Sequence, residues 1–425
     1  MQVTNKKLFW PLFALLCIFL TYRIYKYQKV NFQNSLKIEQ HSSRPKVDLE
    51  KIKASGIPVL DIKVKYKYLA RLSTNFSSGK SEKPQLGIKE NKKSYKAKIF
   101  FKGKKYKGKI SFRGEGDWHR RFWKKSIKIK LKSDERLFGY RTLNLDNPKY
   151  VAPFLRVVQY ETAKKMGILA PASFPVWVNL NGTPYGILQF WGRYDRDMLS
   201  ESNHPEGDLY GEKDNYLSFE YLMSDKQNWK KYTSKLGKKD FKNMDNIERL
   251  MAINNLEGQK FKKAVYEFFD IDQMLAYHNH ANLFSATRQN YHNVRVYFNP
   301  ISLKYELVPN DLLGAVSDSS SQNIFIAFNK LWKKILSLPD LRRQKHEQLD
   351  YFINDYKIFN FIQERFAFWD KIISPIISMD QVSSYGLKNN YNSNFPNIED
   401  QYKYQVEKWD SFISQRKEYL EKALQ

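Results

Sequence analysis

The first half of the sequence contains several segments in which apolar and polar residues alternate, as they do in a β-strand with one buried face. Val59–Tyr68 alternates in this way, and Tyr95–Phe112 predicts a hairpin with a turn at Lys-Gly-Lys-Lys. Val176–Trp191 predicts a second hairpin around Asn181-Gly182, a pair preferred in type I′ turns. Shorter strands are predicted at Ser126–Leu131 and Thr142–Leu145.

Helical spacing of apolar residues dominates the second half, from about Tyr216 onward, and it also occurs earlier in Tyr150–Met166. One hairpin interrupts these helices. Its first strand is Val294–Phe298, and its second strand ends at Val308, directly before Pro309-Asn310-Asp311. The pattern therefore predicts an α+β fold with a basic, sheet-rich N-terminal part and a mainly helical C-terminal part.

An apolar segment at residues 8–22 is flanked by basic residues on both sides. It is short for a membrane-spanning helix, which needs about 20 residues, but interfacial aromatic residues can extend it. We expect an uncleaved membrane anchor because no small-x-small cleavage site follows, with a cleaved signal peptide as the alternative. The predicted division is an anchor at 1–30, a linker at 31–56, a sheet-rich part at 57–215 and a helical part at 216–425 that carries the 293–311 hairpin.

Charge is the strongest compositional signal. The formal net charge is +28, and residues 51–130 hold 25 Lys and Arg against 5 Asp and Glu. This favours an anionic partner, which could be a nucleotide, an acidic polymer, a phospholipid surface or an acidic protein. A lysine-coated, solvated sheet is the alternative. Nucleic acid is disfavoured as a partner because the sequence has no recognised nucleic-acid-binding motif. The chain has a single cysteine, Cys17, which excludes disulfides within the chain.

Six residues carry candidate chemistry. Arg113-Gly114 and Lys124-Lys125 flank a strand connection, where their charges could contact phosphate, although an ordinary β-connection has the same residues. Glu161 lies in an amphipathic helix, where it could orient a lysine or face solvent. Asp311 and Asn293 carry oxygens suited to Mg²⁺ or Mn²⁺, but Pro-Asn-Asp is also common in turns.

Taken in order, these segments resemble the CotH kinase family, the spore coat protein H-like atypical protein kinases, from about Val59 to the C-terminal helix. The resembling segments are Phe112-Arg113-Gly114, Lys124-Lys125-Ser126-Ile127-Lys128, Ala163–Gly167 with Pro171, Val178–Gly182 with Tyr185-Gly186, Gly207–Tyr210, and His292-Asn293 with Val308–Asp311. The two hairpins are the most specific of them.

This resemblance implies a distant protein-kinase-like fold behind the membrane anchor. It also implies transfer of the ATP γ-phosphoryl group, with Mg²⁺ or Mn²⁺, to Ser or Thr of an exported or surface protein. Lys125 or Lys124 would contact the phosphates and pair with Glu161, whereas Asp311 would hold the metal. Arg113 and Asn293 would lie at the nucleotide.

The chain departs from the family pattern at three places. Gly192 stands where the family usually has a glutamate, Leu313 replaces a second aspartate, and residues 287–290 contain no carboxylate. Two functions therefore remain open. One is a membrane-anchored, extracytoplasmic kinase, and the other is a catalytically inactive scaffold whose basic face binds an acidic polymer or protein at the cell surface.

Overall fold

The computed structural model describes residues 22–23, 47–75, 93–114, 124–132, 134–148, 153–213, 218–233, 243–286, 293–310, 324–325, 327, 329–380 and 398–425. Its strands are β1 (Val59–Val64), β2 (Tyr95–Phe101), β3 (Lys104–Phe112), β4 (Ile127–Leu131), β5 (Thr142–Asp146), β6 (Ser173–Leu180), β7 (Thr183–Gly192), β8 (Asp208–Glu212), β9 (Trp229–Lys231), β10 (Arg295–Asn299) and β11 (Lys304–Val308).

The described α-helices follow mainly in the second half of the chain. They are α1 (Leu49–Ala54), α2 (Tyr66–Asn75), α3 (Leu155–Lys165), α4 (Arg196–Glu201), α5 (Phe219–Leu222), α6 (Asp245–Asn255), α7 (Gly258–Phe268), α8 (Ile271–Leu283), α9 (Lys330–Ser337), α10 (Pro339–Asp350), α11 (Ile358–Ile373) and α12 (Ile398–Leu424). A π-helical turn (Tyr351–Asp355) extends α10, and a 3₁₀ segment (Ser374–Met379) extends α11.

Seven strands form a closed barrel in the order β1-β2-β3-β4-β5-β7-β6. The barrel closes because β1 pairs antiparallel with β2 on one edge and parallel with β6 on the other. Alternate residues of each strand face inward, and Ile62, Ile99 and Ile129 are fully buried there. Burying each such side chain contributes about 1.5–3 kcal/mol, so the alternation read from the sequence provides the barrel core.

The hairpin predicted around Asn181-Gly182 is confirmed. It consists of β6 and β7, and both turn residues have positive φ, +53° for Asn181 and +80° for Gly182, as a type I′ turn requires. The Asn181 side chain also accepts a hydrogen bond from Val64 N and donates one to Val64 O, each at 2.7 Å. The turn therefore fixes the end of β1 against β6, where the barrel closes.

A second sheet has the strand order β11-β10-β8-β9. The predicted hairpin at 294–308 is confirmed as its β10–β11 pair, and β8 pairs with the other edge of β10. Gln273 of α8 secures β11, because its side chain donates to Leu307 O at 2.6 Å and accepts from Leu307 N at 2.9 Å. This sheet places Pro309 and Asn310, which follow β11, beside the outer face of the barrel.

The predicted kinase-like fold is wrong. A closed seven-stranded barrel and mixed helices replace it, since β1 joins two strands that the local alternation could not identify as its partners. The membrane anchor in the same prediction is unsupported. Among the described residues, no helix is both long enough and apolar enough to cross a membrane. Residues 8–22 themselves lie outside the described part, apart from Tyr22.

Candidate functional site

A basic pocket of about 480 Å³ lies on the outer face of the barrel, next to the second sheet. Six cationic side chains line it: Lys109, Arg113, Lys128, Lys130, Arg193 and Arg295. Three aromatic side chains, Trp191, Tyr194 and Tyr232, also contribute, and Asn310 closes the side nearest β11. Within the described part of the chain, no carboxylate side chain belongs to this lining. The charge of its lining therefore favours an anionic ligand.

Strand alternation explains why the lysines point outward. In β3 and β4, the residues Ile110 and Ile129 face the barrel core, so Lys109, Lys128 and Lys130 face away from it. The register places Lys109 directly opposite Lys130 and Ser111 opposite Lys128. Three ammonium groups thus gather within two neighbouring strands at the pocket wall.

The three arginines are held by carboxylates outside the pocket lining. Arg113 forms an ion pair with Asp146 and stacks over Trp191, with its guanidinium 4.6 Å from the ring centre. Arg193 Nε lies 3.6 Å from Asp195 Oδ2. Arg295 Nη1 lies 3.9 Å from Glu212 Oε1. These contacts orient the guanidinium groups before any ligand arrives, which lowers the entropic cost of binding.

The lysines of the pocket lack such partners, since none of the three forms an ion pair with a described residue. Burial first, and then the nearby charges of Arg193, Arg113, Lys130 and Lys230, together lower the pKa of Lys128 to about 8. A bound anion would relieve this repulsion. The electrostatics of the pocket therefore favour a multiply charged anionic ligand.

Contacts with the barrel also position the end of β11 at the pocket. The Tyr194 hydroxyl, which follows β7, donates to Pro309 O at 2.6 Å. Pro309 precedes Asn310 in the lining. Asp311, the predicted metal ligand, is the next residue and lies outside the described part of the chain. Among the described residues, no group of three or more His, Cys, Asp or Glu side chains is arranged to hold a metal ion.

Of the predicted phosphate-binding residues, Arg113 lines the pocket, whereas Lys124 lies in the interior. Lys124 forms an ion pair with Asp380 at 2.5 Å, and both side chains are almost fully buried. Burial lowers the pKa of Lys124, although Asp380 opposes this effect. Gly186 makes the pair possible, because a Cβ atom there would lie 1.9 Å from Asp380 Oδ1.

Lys125 lies beside this pair and outside the pocket lining. Its backbone N–H donates to the Tyr185 hydroxyl at 2.6 Å, and that hydroxyl donates to Lys125 O at 3.1 Å. Burial lowers the pKa of the Lys125 side chain to about 8. The two adjacent lysines thus lie just before β4 begins, Lys124 in the interior and Lys125 half-buried beside it.

Glu161 lies in α3 and faces α11. It accepts hydrogen bonds from Arg365 at 2.9 and 3.0 Å and from Trp369 Nε1 at 3.2 Å. The structure therefore pairs Glu161 with an arginine of α11, and Lys124 pairs with Asp380 instead. Asn293 precedes β10 with a φ of +63°, next to Val294, whose N–H donates to Glu212 Oε1 at 2.8 Å.

Sequence reasoning missed most of the pocket. Alternation in Ser126–Leu131 could have identified Lys128 and Lys130 as outward-facing, because their neighbours are apolar. No local pattern could have brought Arg193 and Arg295 together, since Arg193 follows β7 of the barrel and Arg295 lies in β10 of the second sheet. The association depends on long-range contacts such as that of the Arg295 guanidinium with the Tyr194 ring, whose centre is 5.8 Å away.

Comparison with known proteins gives one family. The family model described as CotH kinase protein matches residues 110–420, which is most of the chain. No curated protein matches the sequence. The matched region includes five of the six cations of the pocket and extends through the β10–β11 hairpin. On this match, the chain belongs to the CotH kinase protein family.

Proposed function

We propose that this chain binds the phosphates of ATP in the basic pocket and transfers the terminal phosphoryl group to a hydroxyl group of a protein. The observation that carries the proposal is the convergence of six cations on a pocket of about 480 Å³. That volume lies within the range of small-molecule sites, about 300–1,000 Å³. Family membership supports a kinase-like activity.

The residues of the pocket suit a triphosphate. Arginines held by carboxylates offer N–H donors in fixed directions, and the lysines, which have no ion-pair partner among the described residues, add positive charge. Trp191, Tyr194 and Tyr232 provide apolar surface for a base or ribose. Mg²⁺ or Mn²⁺, when bound, would neutralise phosphate charge, and Asp311 is the residue that we expect to hold it.

A second candidate is a binding protein without transferase activity. Lys124 and Glu161, the residues to which the family resemblance assigns phosphate contact and lysine positioning, are engaged with Asp380 and Arg365 instead. In that case the pocket would hold the anion without catalysing transfer. The two candidates share the ligand site and differ in the chemical step.

Calorimetric titration of the full chain with ATP, ADP and AMP tests the shared part of the proposal. We expect affinity to decrease from ATP to AMP as phosphates are removed. Lys128→Met should weaken ATP binding by about 10–100-fold, the loss of one charged hydrogen bond at about 1.5–3 kcal/mol. Lys403→Met, on the exposed side of α12, is the matched control. Equal affinities of both variants for ATP would contradict the assignment of the pocket.

Transfer of radiolabelled phosphate to protein, with Mg²⁺ or Mn²⁺ present, separates the two candidates. Transfer that is lost in Asp311→Asn supports the kinase. ATP binding without transfer under either metal supports the binding protein.

The affinity for ATP should depend on pH through Lys128. Its pKa is lowered to about 8, so the ammonium form that attracts phosphate predominates below pH 8 and is lost as the pH rises through that value. Affinity should accordingly be highest near pH 7 and fall above pH 8. Titration at pH 6.5, 7.5, 8.5 and 9.5 measures this. In Lys128→Arg, which keeps its charge throughout, the decrease should vanish, and an unchanged decrease would assign it to another group.

A further inference from the structure

Exposed lysines cover the outer face of the barrel beyond the pocket. The strand register aligns them in two rows that run across the strands. The first row, the outer row, consists of Lys63, Lys98 and Lys107, and the second row, the inner row, consists of Lys96, Lys109 and Lys130. All six residues are exposed.

Such rows have an energetic cost. Side chains directly opposite each other on neighbouring strands have Cβ atoms about 4.5–5.5 Å apart, and like charges at this distance destabilise a sheet. None of the six lysines forms an ion pair with any residue that the structure describes. Two described carboxylates near the rows have other partners: Glu135 accepts from the backbone N–H of Lys107 at 2.9 Å, and Asp61, two positions before Lys63, accepts from Asn179 Nδ2 at 2.7 Å. The repulsion therefore lacks compensation within the described fold.

The inner row leads into the pocket. Lys109 and Lys130 belong both to that row and to the pocket lining. The outer row lies two residues away from the inner row along each strand, at Lys98 of β2 and Lys107 of β3. Positive charge therefore extends without interruption from the barrel surface to the site where we place the phosphates of ATP. A ligand that runs along β3 would cross both rows and have one end at the pocket.

The spacing of the lysines along β3 indicates the backbone conformation of that ligand. Lys105, Lys107 and Lys109 occupy alternate positions of β3, which are about 6.6–6.8 Å apart in any extended chain. A peptide in the same extended conformation repeats its same-side residues at this distance. Acidic residues at every second position of such a peptide would therefore meet the lysines of β3 one by one.

We propose that an acidic polypeptide segment in extended conformation binds parallel to β3, crosses the outer and inner lysine rows, and presents a hydroxyl-bearing residue to the basic pocket. This inference rests on the proposed function, because it names the substrate class of that site. The acidic side chains would neutralise the rows, and the strand geometry would align the peptide with β3. The lysines would then position the substrate and leave the phosphate contacts to the pocket.

A single-stranded nucleic acid is the competing polyanion. Proteins that bind single strands place aromatic side chains between their basic residues, so that bases can stack on them. The outward positions of β3 from Lys105 to Ser111 contain only lysine and serine. The aromatic residue opposite Lys105, Phe100 of β2, is already covered by Lys63, whose Nζ lies 5.1 Å from its ring centre. The outer face of β3 thus provides charge and strand spacing without an open stacking surface, which favours a peptide.

Fluorescence anisotropy tests the inference on the full chain. The probe is a labelled 14-residue peptide in which Glu and Ser alternate, compared with a peptide of alternating Lys and Ser and with a labelled single-stranded DNA of equal charge. We expect binding of the Glu-Ser peptide only, weakening as salt is raised. Tighter binding of the DNA would overturn the inference in favour of a nucleic-acid surface.

The informative variant is Lys98→Thr/Lys107→Thr, which removes two lysines of the outer row and none from the pocket. It should bind the Glu-Ser peptide about fivefold more weakly, the effect of two exposed ion pairs. At low salt its melting temperature should rise, because the like charges are gone. The control Lys403→Gln/Lys408→Gln, which removes two exposed charges from α12 and keeps a good helix former, should change neither quantity. Equal peptide affinity in the variant and the control would overturn the inference.

ATP titration of the same proteins separates this inference from the proposed function. Peptide binding that depends on the outer row, in a chain that does not bind ATP, would contradict the proposed function and leave only the docking surface. ATP binding that is normal in both proteins, without binding of the Glu-Ser peptide, would contradict the docking surface alone.

Discussion

Replacing Asp380 with alanine is expected to lower the free energy of unfolding by about 3–5 kcal/mol, the cost of leaving a buried charge without its partner. The relevant charge is Lys124, whose side chain is 1% exposed. Its ammonium group would then lie in the interior beside β7 without the described carboxylate. We expect this to be among the most destabilising single substitutions in the chain.

The Asp380 site cannot easily adapt to this loss. Asp380 follows the 3₁₀ segment and reaches the barrel where Gly186, with a φ of +95°, leaves room for its carboxylate. It also approaches Ile187 N, at 3.4 Å. The ion pair joins residues 256 positions apart, so it connects the barrel to the end of the helical part. Its loss should therefore affect global unfolding.

Urea unfolding followed by circular dichroism measures the effect. Asp410→Ala, an exposed carboxylate on α12, is the matched control and should change stability by less than about 0.5 kcal/mol. The double variant Lys124→Met/Asp380→Leu should recover most of the loss, because apolar residues of similar size often replace buried ion pairs well. A loss below about 1 kcal/mol in Asp380→Ala would show that Lys124 finds another partner or water.

Gly192→Glu should be the second most damaging substitution, with an expected loss of more than about 3 kcal/mol from overpacking and the burial of a charge. A Cβ atom at Gly192 would lie 2.2 Å from Cζ of Tyr140, whose ring is fully buried. The Tyr140 hydroxyl accepts from Ala172 N at 3.1 Å and donates to Glu201 at 3.2 Å. The ring is thus held and cannot move aside freely.

Urea unfolding of a double-mutant cycle provides the test. Tyr140→Ala alone should cost about 3–5 kcal/mol through the cavity that it leaves. If the two positions compete for one space, Tyr140→Ala/Gly192→Glu should cost clearly less than the sum of the two single variants. Additive losses would show that Gly192 and Tyr140 act independently. This result bears on function, because the resemblance to the CotH kinase family leads us to expect a glutamate at the position of Gly192.

Local sequence signals predicted individual hairpins well. The Asn181-Gly182 pair and the alternation around Val296 each identified a hairpin that the structure contains. The same signals did not predict the fold. Alternation shows which face of a strand is buried, but it does not show which other strand pairs with it. The parallel pairing of β1 with β6 has no local sequence signal, so the closed barrel could not be predicted.

The site shows the same limit. Arg113 was selected from its loop and does line the pocket, whereas Glu161 was assigned a lysine partner and bonds Arg365, 204 positions later. The sequence around a helical glutamate does not indicate which distant side chain it contacts. Lys128 was overlooked, because a lysine within an alternating strand reads as ordinary solvent exposure. The metal-binding role of Asp311 stays a prediction.

The pairing of β1 with β6 has a consequence for biosynthesis. Val64 and Asn181, which join the two strands, are 117 positions apart. While the chain emerges from the ribosome, β1 is available long before β6 has been made. During this interval its unpaired backbone groups could recruit strands of other nascent chains. The lysines next to β1 in the sheet would repel such chains through charge, so the same residues that we assign to docking would also protect the unfinished barrel from aggregation.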